Sequence, residues 1–355
     1  MLFNYKYVNH SIEKFQVYLD HLVKEVWCKA VGNFSIDLLH PELRQIVEAI
    51  FNDDYITKDH LDGPIRSIYK IFQQLTPAQR QQVSAWYDHN NNIEALCARD
   101  LSKLPATYND IRAINVDLEA ALRDFFRSLF TDVINLKAVT SRTGGIDAHY
   151  IAFVTQNKEG KCPYCGCSDI KGAYNTRRDA YDHFLPKGTY PFNSVNLRNL
   201  APMCHDCNSA YKLQKDPTRH IDPISREAGG TRRKAFYSYA VSPPGIVISI
   251  ILKTKDVTNL QPGEIDLQFT ASGRDEEVEA WKDVFGIEER YKAKFCAKND
   301  GIAWLQQAIE EAESGNLSTE GFLAQVSRAA IRSPYDSANF LKMPFLTACQ
   351  SAKII

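Results

Sequence analysis

Four cysteines occur as two pairs, Cys162-Pro-Tyr-Cys165 and Cys204-His-Asp-Cys207, and this spacing can bind metal. A two-residue spacer lets both sulfurs of a pair reach one ion, and four thiolates form the tetrahedral ligand set of a structural zinc site. The chain has nine cysteines, an odd number that favours reduced thiolates on a metal over a disulfide framework. The pattern predicts structural Zn²⁺ on these four residues, with Cys167 as the alternative to Cys165.

The segment between and just after the two pairs contains the group types that hydrolyse a phosphodiester. Such a reaction needs a base to activate water, a cation to stabilise charge on phosphate oxygens, and donors that hold the phosphate. His183 is a candidate base because an imidazole accepts a proton near neutral pH. Asp182 and Asn208 offer the oxygen ligands that Mg²⁺ or Mn²⁺ prefers. On a strand, Asp182 and His183 would point to opposite faces.

The order of these groups resembles the HNH, or ββα-metal, nuclease family. The resemblance covers about Lys161 to Lys215, and it depends on the succession of a cysteine pair, Asp-His, Asn, a second cysteine pair, Asn and Lys. It implies that Asp182 and Asn208 bind a catalytic Mg²⁺ or Mn²⁺ and that His183 is the general base. It also implies that Asn199 fixes the position of His183 and its loop.

Two features of this resemblance leave alternatives open. A His often stands in the family where this chain has Asn208, which leaves the choice of metal open and makes His205 an alternative ligand. Asn196 competes with Asn199 for the middle role. We prefer Asn199 because it directly precedes the Leu-Ala-Pro-Met-Cys run that the resemblance aligns.

Basic residues are concentrated beside the cysteine pairs. Residues 161–234 contain 13 Lys and Arg against 7 Asp and Glu, whereas the whole chain has a formal net charge of −1. Lysine and arginine side chains bind nucleic-acid phosphates without reading bases. The predicted phosphate contacts are Lys187, Arg198, Lys212 and Lys215. Weaker candidates are Arg219 and the Arg232-Arg233-Lys234 cluster.

The resemblance implies a metal-dependent endonuclease that leaves 5′-phosphate and 3′-hydroxyl ends. The expected substrate is nucleic acid, with DNA favoured over RNA and the choice between them left open. Family members with extra domains resemble restriction or anti-phage defence effectors that work with a regulatory ATPase or a sensor protein. The chain has no GxxxxGK phosphate loop, so a nucleotide-driven step would come from a partner. The alternatives are a non-catalytic zinc-stabilised module that binds nucleic acid or protein, and an exported toxin.

Composition indicates a folded protein of two or three domains. The chain has 355 residues, and 44% of them are hydrophobic. Its first ten residues lack the basic segment followed by an apolar segment that is typical of a signal peptide. Its longest apolar stretch is far shorter than the roughly 20 residues of a membrane-spanning helix. We therefore expect a cytoplasmic protein without membrane association.

Helical periodicity dominates the first part of the chain. Phe15, Leu19, Leu22, Val26 and Ala30 recur at three- and four-residue steps and define one apolar face. Pro41 and Pro77 are predicted first-turn prolines, with Thr76 as an N-cap. One long helix is predicted over 111–134. Gly144-Gly145 interrupts this pattern and marks a domain boundary.

The last third of the chain predicts strands followed by helices. Two strands are expected, at 246–252 and 265–269. Helices are expected at 276–296, 300–312 and 320–331. The predicted fold is α+β and mostly helical. A helical domain (1–145) precedes a ββα-metal nuclease module with the four-cysteine site (146–235), and an α/β region (236–355) follows.

Overall fold

A computed structural model describes residues 1–53, 58–220, 230–315 and 317–355. Within these ranges the chain is mostly helical and has two antiparallel two-stranded sheets. The predicted α+β class is therefore confirmed. No helix in the described ranges is long and apolar enough to cross a membrane.

The bounds of the elements follow the chain in order. The helices before the cysteine pairs are α1 (Lys14–His21), α2 (Pro41–Phe51), α3 (Asp62–Gln74), α4 (Pro77–Asn91), α5 (Ile93–Cys97), α6 (Tyr108–Ile114), α7 (Val116–Thr131), α8 (Lys137–Thr143) and α9 (Ile146–Gln156). The strands are β1 (Tyr181–His183), β2 (Leu200–Pro202), β3 (Val247–Leu252) and β4 (Ile265–Thr270). The later helices are α10 (Asp275–Phe285), α11 (Ile287–Phe295), α12 (Ala303–Glu313), α13 (Thr319–Arg332) and α14 (Asn339–Ser351). Three π-helical segments, Leu22–Trp27, Asp206–Lys212 and Lys298–Ile302, complete the main elements.

The amino-terminal helices form as the sequence predicts. The five apolar residues from Phe15 to Ala30 are all buried. The first four lie on α1 and on the π-helical segment that continues it, and Ala30 follows that segment. Pro41 and Pro77 open α2 and α4. Thr76 caps α4, because its hydroxyl accepts a hydrogen bond from the Gln79 N–H while the Gln79 side chain accepts one from the Thr76 N–H.

Two helix predictions are corrected by the structure, and one helix is added. The single helix predicted over 111–134 is two helices, because Asn115 adopts an extended conformation and caps α7 through the Leu118 N–H. The helix predicted over 276–296 is broken at Gly286, whose φ of 58° ends α10. Helix α14 was not predicted. It contains Pro344, although Leu341 and Phe345 are buried at helical spacing.

The two sheets are short hairpin-like pairs with different surroundings. In the first, β1 pairs with β2 so that Asp182 lies opposite Ala201 and His183 lies opposite Leu200. In the second, the predicted strands β3 and β4 pair along their whole length. The first sheet is buried on all of its residues, so it forms an internal support for the residues that it carries.

Buried apolar residues form two clusters, and the segment with the cysteine pairs contributes to both. The first, which we call the helical cluster, joins the interiors of α1 to α4 and α6 to α9 to Tyr181 and Leu200 of the first sheet. The second, the cysteine-side cluster, combines the four cysteines with the interiors of α10 to α14. Residues near the amino terminus, such as Tyr5, also belong to it. The domain limits 1–145, 146–235 and 236–355 stay a prediction.

Candidate metal centre and active site

The four predicted cysteines meet at one buried point. Their sulfur atoms all lie within 4.8 Å of one another, and the Sγ atoms of Cys165 and Cys204 are 3.9 Å apart. Tetrahedral zinc with Zn–S bonds of about 2.3 Å requires sulfurs about 3.8 Å apart, whereas a disulfide requires about 2.05 Å. The cluster can therefore bind a metal ion and is compatible with structural zinc. Cys167 lies outside this group of four.

Helices α10 and α11 hold both cysteine pairs from outside. The Arg290 guanidinium donates to the Cys207 sulfur at 3.2 Å, and the Tyr291 hydroxyl donates to the Cys165 carbonyl at 2.8 Å. The Trp281 indole donates to the carbonyl of Tyr164, between the first two cysteines, at 2.7 Å. Four thiolates and a divalent cation have a net charge of −2, so the Arg290 charge offsets part of it. Burial lowers the pKa of the Arg290 guanidinium, but the charge of the nearby cysteine sulfurs, first that of Cys207, outweighs burial and raises this pKa above its ordinary value.

Asp182 of β1 is paired with a buried lysine. Asp182 is 4% exposed and Lys212 is 0% exposed. The Lys212 ammonium donates to Asp182 Oδ1 at 3.1 Å and to the His183 carbonyl at 2.9 Å. Burial raises the pKa of the Asp182 carboxyl, and the neighbouring Lys212 charge opposes that rise. The other carboxylate oxygen, Oδ2, is buried without a hydrogen-bond partner in the described ranges.

His183 faces the helical cluster on the other side of β1. Its ring meets the Phe130 ring of α7 edge to face, with centroids 4.4 Å apart. Its Nε2 atom lies 2.8 Å from the Ser194 carbonyl oxygen. Burial and the nearby Lys187 charge lower the pKa of His183 to about 3. The imidazole is therefore neutral at physiological pH, and Asp182 and His183 do leave opposite faces of the strand.

Asn199 fastens the loop that follows His183. Its side-chain oxygen accepts from the Leu185 N–H at 2.8 Å, and its nitrogen donates to the Leu185 carbonyl at 3.0 Å. Asn196 is used differently, because its amide donates to the backbone carbonyl and side chain of Asn91 in α4. Contact with the His183 loop therefore distinguishes Asn199 from its competitor.

Asn208 lies on the π-helix Asp206–Lys212, one turn before Lys212. It is half-buried, and its side chain makes no hydrogen bond within the part of the chain that the structure describes. The helical turn directs Asn208 and Lys212 to the same side, and Lys212 contacts Asp182. His205, the alternative ligand, is an exposed residue whose side chain is 86% accessible.

The four predicted phosphate contacts have different surroundings. Lys187 is half-buried, and its ammonium lies 4.5 Å above the Phe130 ring that also contacts His183. Arg198 is exposed and stacks on Tyr7. The Lys215 ammonium lies 3.4 Å from the Asp283 carbonyl at the end of α10. Lys212 is not at the surface in this structure, since both of its contacts are internal.

The weaker basic candidates are engaged within the protein. Arg219 donates to the Tyr190 hydroxyl, and Arg232 donates to two backbone carbonyls of residues 100 and 103. Arg233 is 3% exposed and pairs with Asp283 of α10. Much of the positive charge that the sequence concentrates here therefore joins segments of the fold.

Three contacts at these sites were not predicted from the sequence. Ser194 acts through its backbone carbonyl, which every residue type offers, so its identity gives no signal. Phe130 and Arg290 are distant in the chain from the residues that they contact. Phe130 does lie in the periodic apolar run of α7, but periodicity indicates burial and does not identify the neighbour.

Two curated proteins are similar to part of the chain. Septu protein PtuB of Bacillus thuringiensis is 49% identical over 61 residues, which are 16% of this chain and 22% of PtuB. Protein ea31 of Escherichia phage lambda is 48% identical over 54 residues, which are 15% of this chain and 16% of ea31. The chain thus matches less than a quarter of the length of either relative. No protein-family model and no solved structure matches it.

Proposed function

We propose that this protein is a metal-dependent HNH endonuclease that hydrolyses phosphodiester bonds in DNA. The observation that carries the proposal is that β1 presents a neutral, fixed imidazole on one face and, on the other, a carboxylate whose Oδ2 accepts no hydrogen bond in the described ranges, with the Lys212 ammonium 3.1 Å away. His183 and Asp182 supply these groups. The cysteine centre beside them supports the same interpretation, because the family pattern places Asp-His between two cysteine pairs.

The contact with Ser194 assigns the protons of the His183 ring. A carbonyl oxygen only accepts hydrogen bonds, so Nε2, 2.8 Å away, carries the hydrogen. Nδ1 is then the unprotonated nitrogen and can accept a proton from water. Phe130 limits rotation of the ring, and Asn199 holds the backbone two residues further on. These contacts fix the orientation of His183 as the proposed general base, and burial, which lowers its pKa to about 3, makes this imidazole a weak base.

The oxygen donors suit a hard divalent cation. Asp182 Oδ2 is a buried carboxylate oxygen without a hydrogen bond in the described ranges, and the Asn208 amide lies on the adjacent π-helix without a protein partner there. These two residues would bind Mg²⁺ or Mn²⁺, which supplies positive charge to the phosphate and to the departing 3′ oxygen. Lys187, beside Phe130 and His183, would contact a substrate phosphate.

The proposed cellular role is restriction or anti-phage defence in the cytoplasm, together with a regulatory ATPase or sensor protein. It is supported by the partial similarity to Septu protein PtuB and to a phage protein. Products would carry 5′-phosphate and 3′-hydroxyl ends, as the resemblance to HNH nucleases implies.

The test is cleavage of supercoiled plasmid, linear duplex, single strands and RNA with Mg²⁺ or Mn²⁺. His183→Ala is expected to lower the cleavage rate by at least about a hundredfold, because general-base catalysis contributes roughly 10²–10⁴-fold. Zinc content and melting temperature check that the fold is intact. The matched control is His205→Ala, which removes an exposed imidazole between two zinc-site cysteines. Cleavage that persists in His183→Ala contradicts the proposal.

A second candidate is a non-catalytic zinc-stabilised module that binds nucleic acid or protein. The burial of His183, which is 8% exposed, and the internal engagement of most basic candidates favour it. Under this alternative, DNA binding survives both Asp182→Ala and the omission of Mg²⁺, and the wild type produces no nicked plasmid.

A further inference from the structure

Lys212 is a fully buried lysine whose ammonium joins two elements. It extends from the π-helix Asp206–Lys212 to β1, where it bonds the Asp182 carboxylate and the His183 backbone carbonyl. Lysine is almost never fully buried unless it is paired. These two elements carry Asp182 and Asn208, so one ammonium links the strand and the helix that carry the two proposed metal ligands.

The Lys212 ammonium forms a hydrogen bond with only one of the two Asp182 carboxylate oxygens. Its nitrogen is 3.1 Å from both carboxylate oxygens, but the hydrogen-bond geometry is satisfied only at Oδ1. Oδ2 stays buried without a hydrogen bond in the described ranges. The carboxylate is therefore oriented through Oδ1, while Oδ2 keeps a lone pair that no hydrogen bond uses in the described ranges.

The π-helical backbone explains how the lysine enters the interior. The Leu213 N–H bonds to the Asn208 carbonyl, a five-residue step, and Leu213 then takes a positive φ of 51°. This wider turn places Lys212 one turn after Asn208 on the same side of the helix. Leu213, the next residue, is exposed. Single π-turns of this kind occur often at functional sites.

We propose that Lys212 is a positioning residue for the divalent cation, and that it does not contact the substrate phosphate. It orients Asp182 through a hydrogen bond to Oδ1, which leaves Oδ2 without a hydrogen bond in the described ranges, and it joins β1 to the helix that carries Asn208. This inference rests on the proposed function, because the cation it serves belongs to the proposed active site. Loss of a phosphate contact would weaken the affinity for DNA, whereas loss of a positioning residue would weaken the affinity for the metal ion.

The test is Mn²⁺ binding by the full-length, zinc-loaded protein, followed through the electron paramagnetic resonance signal of free Mn²⁺ in the absence of DNA. Lys212→Met is expected to weaken Mn²⁺ affinity at least about tenfold. The matched comparison is Lys187→Met, which removes a charge near His183 without touching Asp182. It is expected to change Mn²⁺ affinity less than twofold and to weaken binding of a DNA duplex in buffer without added divalent cations or chelator.

Several outcomes overturn the inference. Unchanged Mn²⁺ affinity in Lys212→Met shows that the lysine does not position the ligands, and tighter affinity shows that the ammonium competes with the cation. If the wild-type protein does not bind Mn²⁺, or if Asp182→Ala leaves Mn²⁺ affinity unchanged, both the proposed metal site and this inference are wrong. Binding that depends on Asp182 but not on Lys212 removes the inference alone.

A wild-type measurement keeps the inference testable if Lys212→Met does not fold. Crystals soaked in Mn²⁺ locate the ion by its anomalous scattering. The expected structure has Mn²⁺ on Asp182 Oδ2 while the Lys212 ammonium still bonds Oδ1 and the His183 carbonyl. An ammonium displaced from Asp182 by Mn²⁺ overturns the inference.

Discussion

His183 and Asp182 are neighbours in the chain but are held by different parts of the fold. The His183 ring is confined by Phe130 of α7 and by the Ser194 carbonyl, and the Ser194 hydroxyl in turn donates to the Phe126 carbonyl of α7 at 2.6 Å. Asp182 is instead held by Lys212 on the opposite face. Alternation along β1 therefore separates the proposed base from the proposed metal ligand.

Phe130 gives a test of whether α7 positions the proposed general base. Phe130→Leu removes the edge-to-face contact with His183 and the ring beneath Lys187, so the imidazole gains freedom. We expect kcat to fall roughly tenfold, because displacement of a catalytic group by about 1 Å can cost up to about 10²-fold. Mn²⁺ affinity should be unchanged, since Asp182 is held separately.

The control for this variant is Phe51→Leu, at the end of α2, where the phenyl ring is 78% exposed. It should leave both kcat and Mn²⁺ affinity as in the wild type. A Phe130→Leu enzyme with wild-type kcat would show that α7 supports the fold near His183 but does not position the ring.

The break between α10 and α11 allows these helices to fit against the π-helix. Gly286 has a φ of 58°, and a Cβ atom there would lie 2.5 Å from two atoms of the Tyr211 ring. Tyr211 belongs to the π-helix with Asn208 and Lys212, and Arg290 of α11 stacks on it at 4.6 Å. A side chain at position 286 would therefore push on the element that carries two proposed site residues.

Gly286→Ala tests this close approach, with Gly273→Ala as its matched control. Both glycines have positive φ, but a Cβ at Gly273 would meet no atom within 4 Å. Both variants should carry the strain of a left-handed alanine, and only Gly286→Ala should add overpacking of about 1–3 kcal/mol. Urea denaturation of the zinc-loaded proteins measures the difference in free energy of unfolding. Equal losses would mean that Tyr211 moves aside without cost.

Local signals predicted the elements better than the contacts between them. Pro41, Pro77 and Thr76 act within one helical turn, so the sequence was enough to place the starts of α2 and α4. The breaks at Asn115 and Gly286 interrupt patterns whose apolar spacing continues across them. Lys212 shows most clearly what the sequence does not predict, because a lysine in this basic segment suits a surface phosphate contact. Its burial depends on Asp182, which is thirty positions earlier in the chain.

At the scale of the whole molecule, the first sheet lies between two apolar clusters, of which one contains the four cysteines. The four cysteines belong to the cysteine-side cluster with α10 and α11, whereas the helical cluster contains none of them. The first sheet contributes Leu200 to the helical cluster and Ala201 to the other. The π-helix begins within the second cysteine pair, so Asn208 and Lys212 are positioned by the cysteine centre.

Removal of zinc should therefore affect the two clusters unequally. Structural zinc sites contribute an apparent ~10–16 kcal/mol of binding free energy, which the cysteine-side cluster would lose. After treatment with a strong chelator, hydrogen exchange should become faster in α10 and α11 and stay slow in α3 and α7. Cleavage should stop with the loss of protection in α10 and α11, because the π-helix loses its anchor at Cys207. The control is to restore zinc to its untreated level, which should recover both the slow hydrogen exchange of α10 and α11 and the cleavage activity. Equal loss of protection in α3 and α7 would instead show that the helical cluster and the cysteine-side cluster unfold as one cooperative unit.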